Sequence, residues 1–178
     1  MEFIEPIQSE NVMQIFKDVL TKEEHEYVIK NTIQSDRWAF GQRSDGSKPD
    51  NYAFWSLDLN EDVFFKEVFF EKIKKLTGKD FDIERIYANG QTYGLPGSFH
   101  VDSRNPKGRT FLYYANPEWN ADWGGETIFI ENKTPIVVFP KPNSAVLFDA
   151  NMVHMGKDPT RKTNLLRVTV AFKLIEKE

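Results

Sequence analysis

The chain contains no cysteine. That excludes a disulfide framework and every thiolate metal site, so any bound metal must be held by histidine, aspartate or glutamate. Long apolar runs are missing too. No stretch approaches the length of a membrane span, and the opening MEFIEPIQSE is acidic with no apolar signal core. The expectation is a soluble cytoplasmic protein with no membrane partner. Positive charge is not in excess: 23 Lys and Arg stand against 27 Asp and Glu, a net charge of −4. That balance offers nothing to a phosphate backbone and argues against a nucleic-acid partner. Histidine is scarce as well, with three in 178 residues, so the setting of each one is informative.

What is plentiful is aromatic surface. Aromatic residues make up 14% of the chain and 15 of them are Phe, which suggests a thick aromatic core or an aromatic-lined cleft. The length fits one domain spanning 1–178, large enough to bury a core without staples. No internal repeat, low-complexity tract or linker divides it.

Residues 1–80 read mostly as helical support. In SENVMQIFKDVLTKEEHEYVIKNTIQ the apolar positions Val12, Ile15, Phe16 and Val19, then Tyr27, Val28 and Ile33, are helix-spaced. Thr21, with Glu24 three residues on, is a capping pair for a second helix. A further helix is expected in NEDVFFKEVFFEKIKKLTGKD, with Val63, Phe64, Val68, Ile73 and Leu76 as its stripe and Gly78 as its end. Between them FGQRSDGSKPDNYAFW is polar and turn-rich, a mobile loop or a hairpin, and 41–51 is the candidate lid over a cleft.

From residue 81 the texture changes. FDIERIYANG, TFLYYANP, ETIFIENKTPIVVFPKPNSAVLFD and LLRVTVAFKLI are short β-branched and aromatic runs. Turn clusters at Asn89-Gly90, Pro117, Asn132-Lys133 and Pro142-Asn143 separate them. This predicts an α+β, mainly β, chain: an antiparallel sandwich or barrel over 81–178, buttressed on one outer face by the helices.

His100 and Asp102 in GSFHVDSRNP are two residues apart, so on a strand both point to one face and can converge on one ion. A third ligand must come from elsewhere. His25 sits among charges in TKEEHEYV, on what reads as a solvated helix face. His154 follows an apolar strand in SAVLFDANMVHMGKDP. His100, Asp102 and His154 make a 2-His-1-carboxylate set, the donor set that leaves positions open on Fe(II); a zinc hydrolase could use the same donors. Arg167 follows in LLRVTVAFKL, where alternation puts Arg167, Thr169 and Ala171 on one face and Val168, Val170 and Phe172 on the other. A guanidinium inside a β core is costly unless an anion meets it. The anion is a bound dicarboxylate or, in the alternative, Glu126 or Asp149.

This series of His100-X-Asp102, WGGETIF, His154 and RVTVAF resembles the Fe(II)- and 2-oxoglutarate-dependent dioxygenase superfamily, most of all its prolyl 4-hydroxylase branch, over roughly residues 81 to 175. The resemblance implies a double-stranded β-helix, the cupin-like jelly roll. It implies that His100, Asp102 and His154 are the catalytic centre and hold the iron. Arg167, Tyr87 and Thr127 then hold 2-oxoglutarate, and Tyr93 lies near metal and substrate. It further implies O2 as oxidant, succinate and CO2 as products, ascorbate as reductant, and a proline-containing peptide or protein that becomes hydroxylated. Two departures stand out. Many collagen-type relatives have lysine at the Arg167 position, and YGLPGSFHVD is longer than the branch's usual tyrosine-to-histidine spacing.

Substrate-side candidates are Arg109 or Lys107, and Trp123 together with Trp38, Trp55 and Trp119, each of which also suits a structural role. Arg161 in DPTRKTN reads as a solvated charge, in reserve for Arg167. Tyr87 and Thr127 also suit a strand for packing alone, and Gly124-Gly125 also suits a plain tight turn. Two other functions remain beside the peptide hydroxylase: a nucleotide, nucleic-acid or small-molecule oxygenase on the same scaffold, and a jelly roll that binds metal without redox chemistry.

Overall fold

The computed structural model describes residues 13–44 and 52–177. Among the described residues, ten strands form two antiparallel sheets. The larger contains, in spatial order, β1 (Met13–Phe16), β8 (Ser144–Asp149), β5 (Gly108–Tyr114), β10 (Arg167–Glu176), β4 (Phe81–Gln91), β3 (Phe54–Asp58) and β2 (Ala39–Gln42). The smaller has β7 (Thr134–Val138), β6 (Thr127–Glu131) and β9 (Val153–Gly156). The two sheets face each other as a jelly roll.

Helix α1 (Lys22–Asn31) begins with the expected capping box, Thr21 and Glu24 each satisfying the other's backbone N–H. The next helix starts with a π-helical turn at Phe64–Phe69 and continues as α2 (Phe70–Thr77), closed by Gly78 in the left-handed conformation. Its buried stripe is Phe65, Phe69 and Ile73, whereas Val63, Val68 and Leu76 are exposed. The expected stripe holds at Ile73 and at Phe64, which packs against the core, and fails at Val63, Val68 and Leu76. The wide π turn accommodates about four residues per winding, which aligns positions four apart.

These helices cover the outer face of the larger sheet. Val28, Phe65, Phe69 and Ile73 pack with Ile86, Phe111, Tyr113, Val168, Val170 and Phe172. Phe69 meets Phe111, Tyr113 and Phe172 at ring-centroid distances of 6.2, 5.1 and 5.0 Å. Each fully buried Phe is worth about 1.5–3 kcal/mol of transfer free energy, so this aromatic layer binds helices to sheet. A second core of Leu112, Tyr114, Phe129, Val146, Phe148 and Ala171 fills the space between the sheets.

Three expectations are corrected. The segment after Val12 is strand, not helix: Met13–Phe16 pairs with Phe148–Ala145, and Asp18, at φ 51°, turns the chain before α1. A four-residue apolar pattern cannot distinguish the two periods, and pairing with β8 decides. Asn89-Gly90 is not a turn but the interior of β4, flanked by β3 and β10. Gly90 is there for space, since a Cβ would come within 2.9 Å of Leu166 and 3.1 Å of Trp38. His25 is half-buried rather than solvated, with Nδ1 2.6 Å from the Tyr113 hydroxyl.

The Asn132-Lys133 turn is as expected, with both residues at positive φ between β6 and β7. FGQRSDGSKPDNYAFW contains the β2–β3 hairpin pair. Residues 45–51 of the lid candidate lie outside the described residues. No helix among the described residues is long and apolar enough to cross a membrane.

Candidate active site

A cavity of about 410 Å³ opens between the sheets. Its floor is the inward face of β10. Val168, Val170 and Phe172 turn to the helices, while Arg167, Thr169, Ala171 and Lys173 line the cavity. The facing residues of β4 follow from register: Gln91 opposite Arg167, Asn89 opposite Thr169, Tyr87 opposite Ala171, Arg85 opposite Lys173.

His100 and His154 come together through the backbone. His100 N–H donates to the His154 carbonyl at 3.0 Å and His154 N–H to the His100 carbonyl at 2.9 Å. Asp102 is not on a regular strand as the spacing suggested; its N–H and that of Ser103 both donate to the Ala150 carbonyl, at 2.8 and 3.0 Å. The carboxylate still reaches both rings. Oδ1 lies 3.4 Å from His100 Nε2 and Oδ2 lies 3.6 Å from His154 Nε2. One donor atom from each of the three residues falls within 4.8 Å of the others.

The donor set fits a metal ion. His100 Nδ1 is 2.8 Å from the Ser98 carbonyl and His154 Nδ1 is 2.9 Å from the Met152 carbonyl. Carbonyls only accept, so each Nδ1 carries the proton and each Nε2 lone pair points inward. His154 stacks on Phe129 and meets Phe148 edge-on. Burial holds its pKa down to about 4 against the pull of Asp102, so it is neutral and ready to ligate. Burial would raise the pKa of Asp102, but Lys173 and the two histidines outweigh it and hold the carboxyl well below its usual range. Oδ2 also accepts from the Thr110 hydroxyl at 2.6 Å and pairs with Lys173 Nζ.

Arg167 lies in the same cavity, 2% exposed. Nε donates to the Gly125 carbonyl, Nη1 to Gln91 Oε1 at 2.8 Å and Nη2 to Thr127 Oγ1 at 3.0 Å. All three partners are neutral. The acids weighed as counter-charges are engaged elsewhere: Glu126 meets Lys157 at 3.3 Å and Asp149 meets Arg109 at 3.2 Å. A guanidinium has five donors; Glu126 attracts this one only from beyond ion-pair distance, so the buried cation keeps donors for an anion in direct contact. That fits a carboxylate ligand.

The Gly124-Gly125 turn is more than a turn. Gly125 has φ 77°, and a Cβ there would stand 3.0 Å from Arg167 Cδ and 3.1 Å from the Trp119 ring. Trp119 donates to the Gly124 carbonyl at 2.8 Å, and Trp123 packs edge-on against Trp119. Trp123 therefore supports the Arg167 cradle from outside; it does not line the cavity, which corrects its place among the substrate candidates.

Tyr93 is also outside, 52% exposed beneath Arg161, whose guanidinium carbon is 4.7 Å from its ring. The long 92–99 segment turns at Thr92–Leu95, and Tyr93 is not among the residues that line the cavity with His100, Asp102 and His154. Arg161 is the exposed loop charge it was read to be. Trp38, donating to the Thr32 carbonyl, and Trp55, against Phe40, are structural. Tyr87 and Thr127 do line the cavity. Arg109 reaches the cavity rim, but its guanidinium is held by Asp149, Glu176 and the Pro106 and Gly108 carbonyls. Lys107 is exposed on the preceding turn.

Sequence reading missed Gln91, Thr110 and Lys173. The alternation that placed Arg167 and Ala171 inward also places Lys173 inward, two residues further along β10. Nothing in the sequence marks Gln91 or Thr110.

Residues 86–172 match the model of the 2OG-Fe(II) oxygenase superfamily. No curated protein matches the chain. Among solved structures, a prolyl hydroxylase from Trichoplax adhaerens, in complex with a hypoxia inducible factor peptide fragment, is 19% identical. It aligns over 94% of this chain and 84% of its own, with a TM-score of 0.68. A Pseudomonas putida prolyl-4-hydroxylase is 11% identical over 95% of both chains, with a TM-score of 0.61. The alpha ketoglutarate dependent epimerase SnoN from nogalamycin biosynthesis is 11% identical over 93% of this chain and 76% of that one, with a TM-score of 0.67. At such identities the likeness is one of fold.

Proposed function

Because residues 86–172 belong to the 2OG-Fe(II) oxygenase superfamily, we propose that this protein is a 2-oxoglutarate-dependent dioxygenase that hydroxylates a prolyl or similar residue of a peptide or protein. The observation that carries the reading is the pairing, in one cavity, of a three-donor set with a buried guanidinium whose partners are all neutral. A non-redox metal site has no use for that guanidinium. The two prolyl hydroxylases among the structural neighbours, one solved with a peptide, support the substrate class.

His100, Asp102 and His154 hold the ferrous ion. Arg167, braced by Gln91, Thr127 and the Gly125 carbonyl, binds the distal carboxylate of 2-oxoglutarate, and Tyr87 lines the same pocket. When bound, the iron and the keto acid supply dioxygen chemistry, with 2-oxoglutarate converted to succinate and CO2 and one oxygen atom delivered to substrate. Ascorbate serves as the reductant that keeps the metal ferrous. The chain's own contribution is position and dryness. Tautomers fixed by two carbonyls aim the histidines, and Leu112, Phe148 and Ala171 keep water from the reacting centre.

The test is anaerobic addition of Fe(II) and 2-oxoglutarate, expected to give a weak visible absorption band, followed by aerobic assay of succinate release. Stimulation by proline-containing peptides, with one oxygen added to the peptide by mass spectrometry, is the expected result. Zinc binding with no band and no succinate would remove the proposal.

A further inference from the structure

Lys173 and Arg85 stand directly opposite each other in the β10–β4 ladder, and both line the cavity. Like charges so placed weaken a sheet. The Tyr87 ring holds them in position, with Arg85 Cζ 4.4 Å and Lys173 Nζ 5.7 Å from its centroid. A ring face orders a cation but does not neutralise it.

In the structure Lys173 leans on Asp102 and Thr110. Under the function proposed above, on which this inference rests, a divalent ion takes the Asp102 charge for itself. The ion, Asp102, the dianionic keto acid and Arg167 then cancel one another. Arg109 is met by Asp149 and Glu176. What is left on the Tyr87 side is Lys173 and Arg85 against one carboxylate, Glu84, the bulge residue of β4 at the cavity rim. Of the charged side chains lining the cavity, five are basic and two acidic, in a chain whose net charge is −4. The positive potential is therefore local to the cavity and lies beyond what the keto acid needs.

We infer that the substrate carries a carboxylate that docks between Lys173 and Arg85. An ammonium and a guanidinium gathered on one ring suit its two oxygens. The carboxylate comes either from an acidic side chain next to the target residue of a peptide or from the α-carboxylate of a free amino acid.

The experiment is calorimetric titration of protein loaded anaerobically with Mn(II) and 2-oxoglutarate. The probes are acetyl-Asp-Pro-Gly-amide against acetyl-Asn-Pro-Gly-amide, and L-proline against L-prolinamide. The acid of one pair should bind about tenfold or more tightly than its amide, as a charge-assisted hydrogen bond requires. The pair that discriminates identifies the source. Arg85→Gln, an exposed change, should bring the preference within about threefold while Mn(II) and 2-oxoglutarate affinities stay as in the wild type; Lys173→Met should do the same to the preference. Absent binding, equal binding within both pairs, or a preference that survives both variants overturns the inference and leaves the dioxygenase reading standing. Failure of the wild type to bind 2-oxoglutarate overturns both.

Discussion

His100 and His154 are clasped to each other by two reciprocal backbone hydrogen bonds before they share any ion. The clasp joins the segment preceding β5 to the edge strand β9 of the smaller sheet. It sets the two rings 4.4 Å apart without asking the metal to order them. The site is thus preformed, and removing one imidazole leaves the clasp in place.

His154→Ala should accordingly keep the fold and lose the metal. Its Mn(II) or Fe(II) affinity should fall by more than the roughly 10–100-fold that an outer partner's loss costs, with an unchanged circular dichroism spectrum. Tight metal binding by this variant would displace His154 from the ligand set.

Arg167→Ala should separate co-substrate from metal. Loss of a buried charged partner should cost about 2–5 kcal/mol of 2-oxoglutarate binding, measured by titration, while Mn(II) affinity stays near wild type. Gly125→Ala should weaken the same ligand, because its Cβ would press on Arg167 Cδ. Unchanged 2-oxoglutarate affinity in Arg167→Ala would mean that the anchor lies elsewhere.

Phe69→Ala should destabilise the protein by about 3–5 kcal/mol, since its ring contacts three sheet aromatics. Val68→Ala, at an exposed neighbour, should stay within about 0.5 kcal/mol. Urea denaturation midpoints distinguish these two positions directly.

Stability should also depend on pH through His25. Its Nδ1 meets the Tyr113 hydroxyl, and burial lowers its pKa against a smaller upward pull from the Asn116 backbone. The unfolded chain therefore takes up a proton near pH 6.5 that the folded chain refuses until lower pH. Stability should fall as pH drops below about 6.5. His25→Gln should make that decline shallower in unfolding curves of metal-free protein, the remaining slope coming from His154. An unaltered slope would show that His25 protonates freely in the folded state.

The sheet elements were legible because their signals are local. Alternation in RVTVAF placed Arg167 correctly, and the Thr21–Glu24 pair marked α1. The grouping of His100, Asp102 and His154 was legible because three histidines leave few combinations. Where reading failed, a non-local term decided. Pairing with β8 made Met13–Phe16 a strand, a π turn shifted the stripe to Phe65 and Phe69, and a long excursion took Tyr93 to the surface. Gln91 and Thr110 are ordinary strand residues in sequence; register brings Gln91 to Arg167, and the path of the 101–107 segment brings Asp102 to Thr110.

Arg167 belongs to the larger sheet, yet it grips Gly125 and Thr127 at the start of the smaller one. It is a rivet through both layers of the sandwich. A diacid seated on it would brace the two layers as well as feed the reaction, so an empty protein should breathe along this seam, with amides of β6 and β10 exchanging hydrogen faster than in the filled one.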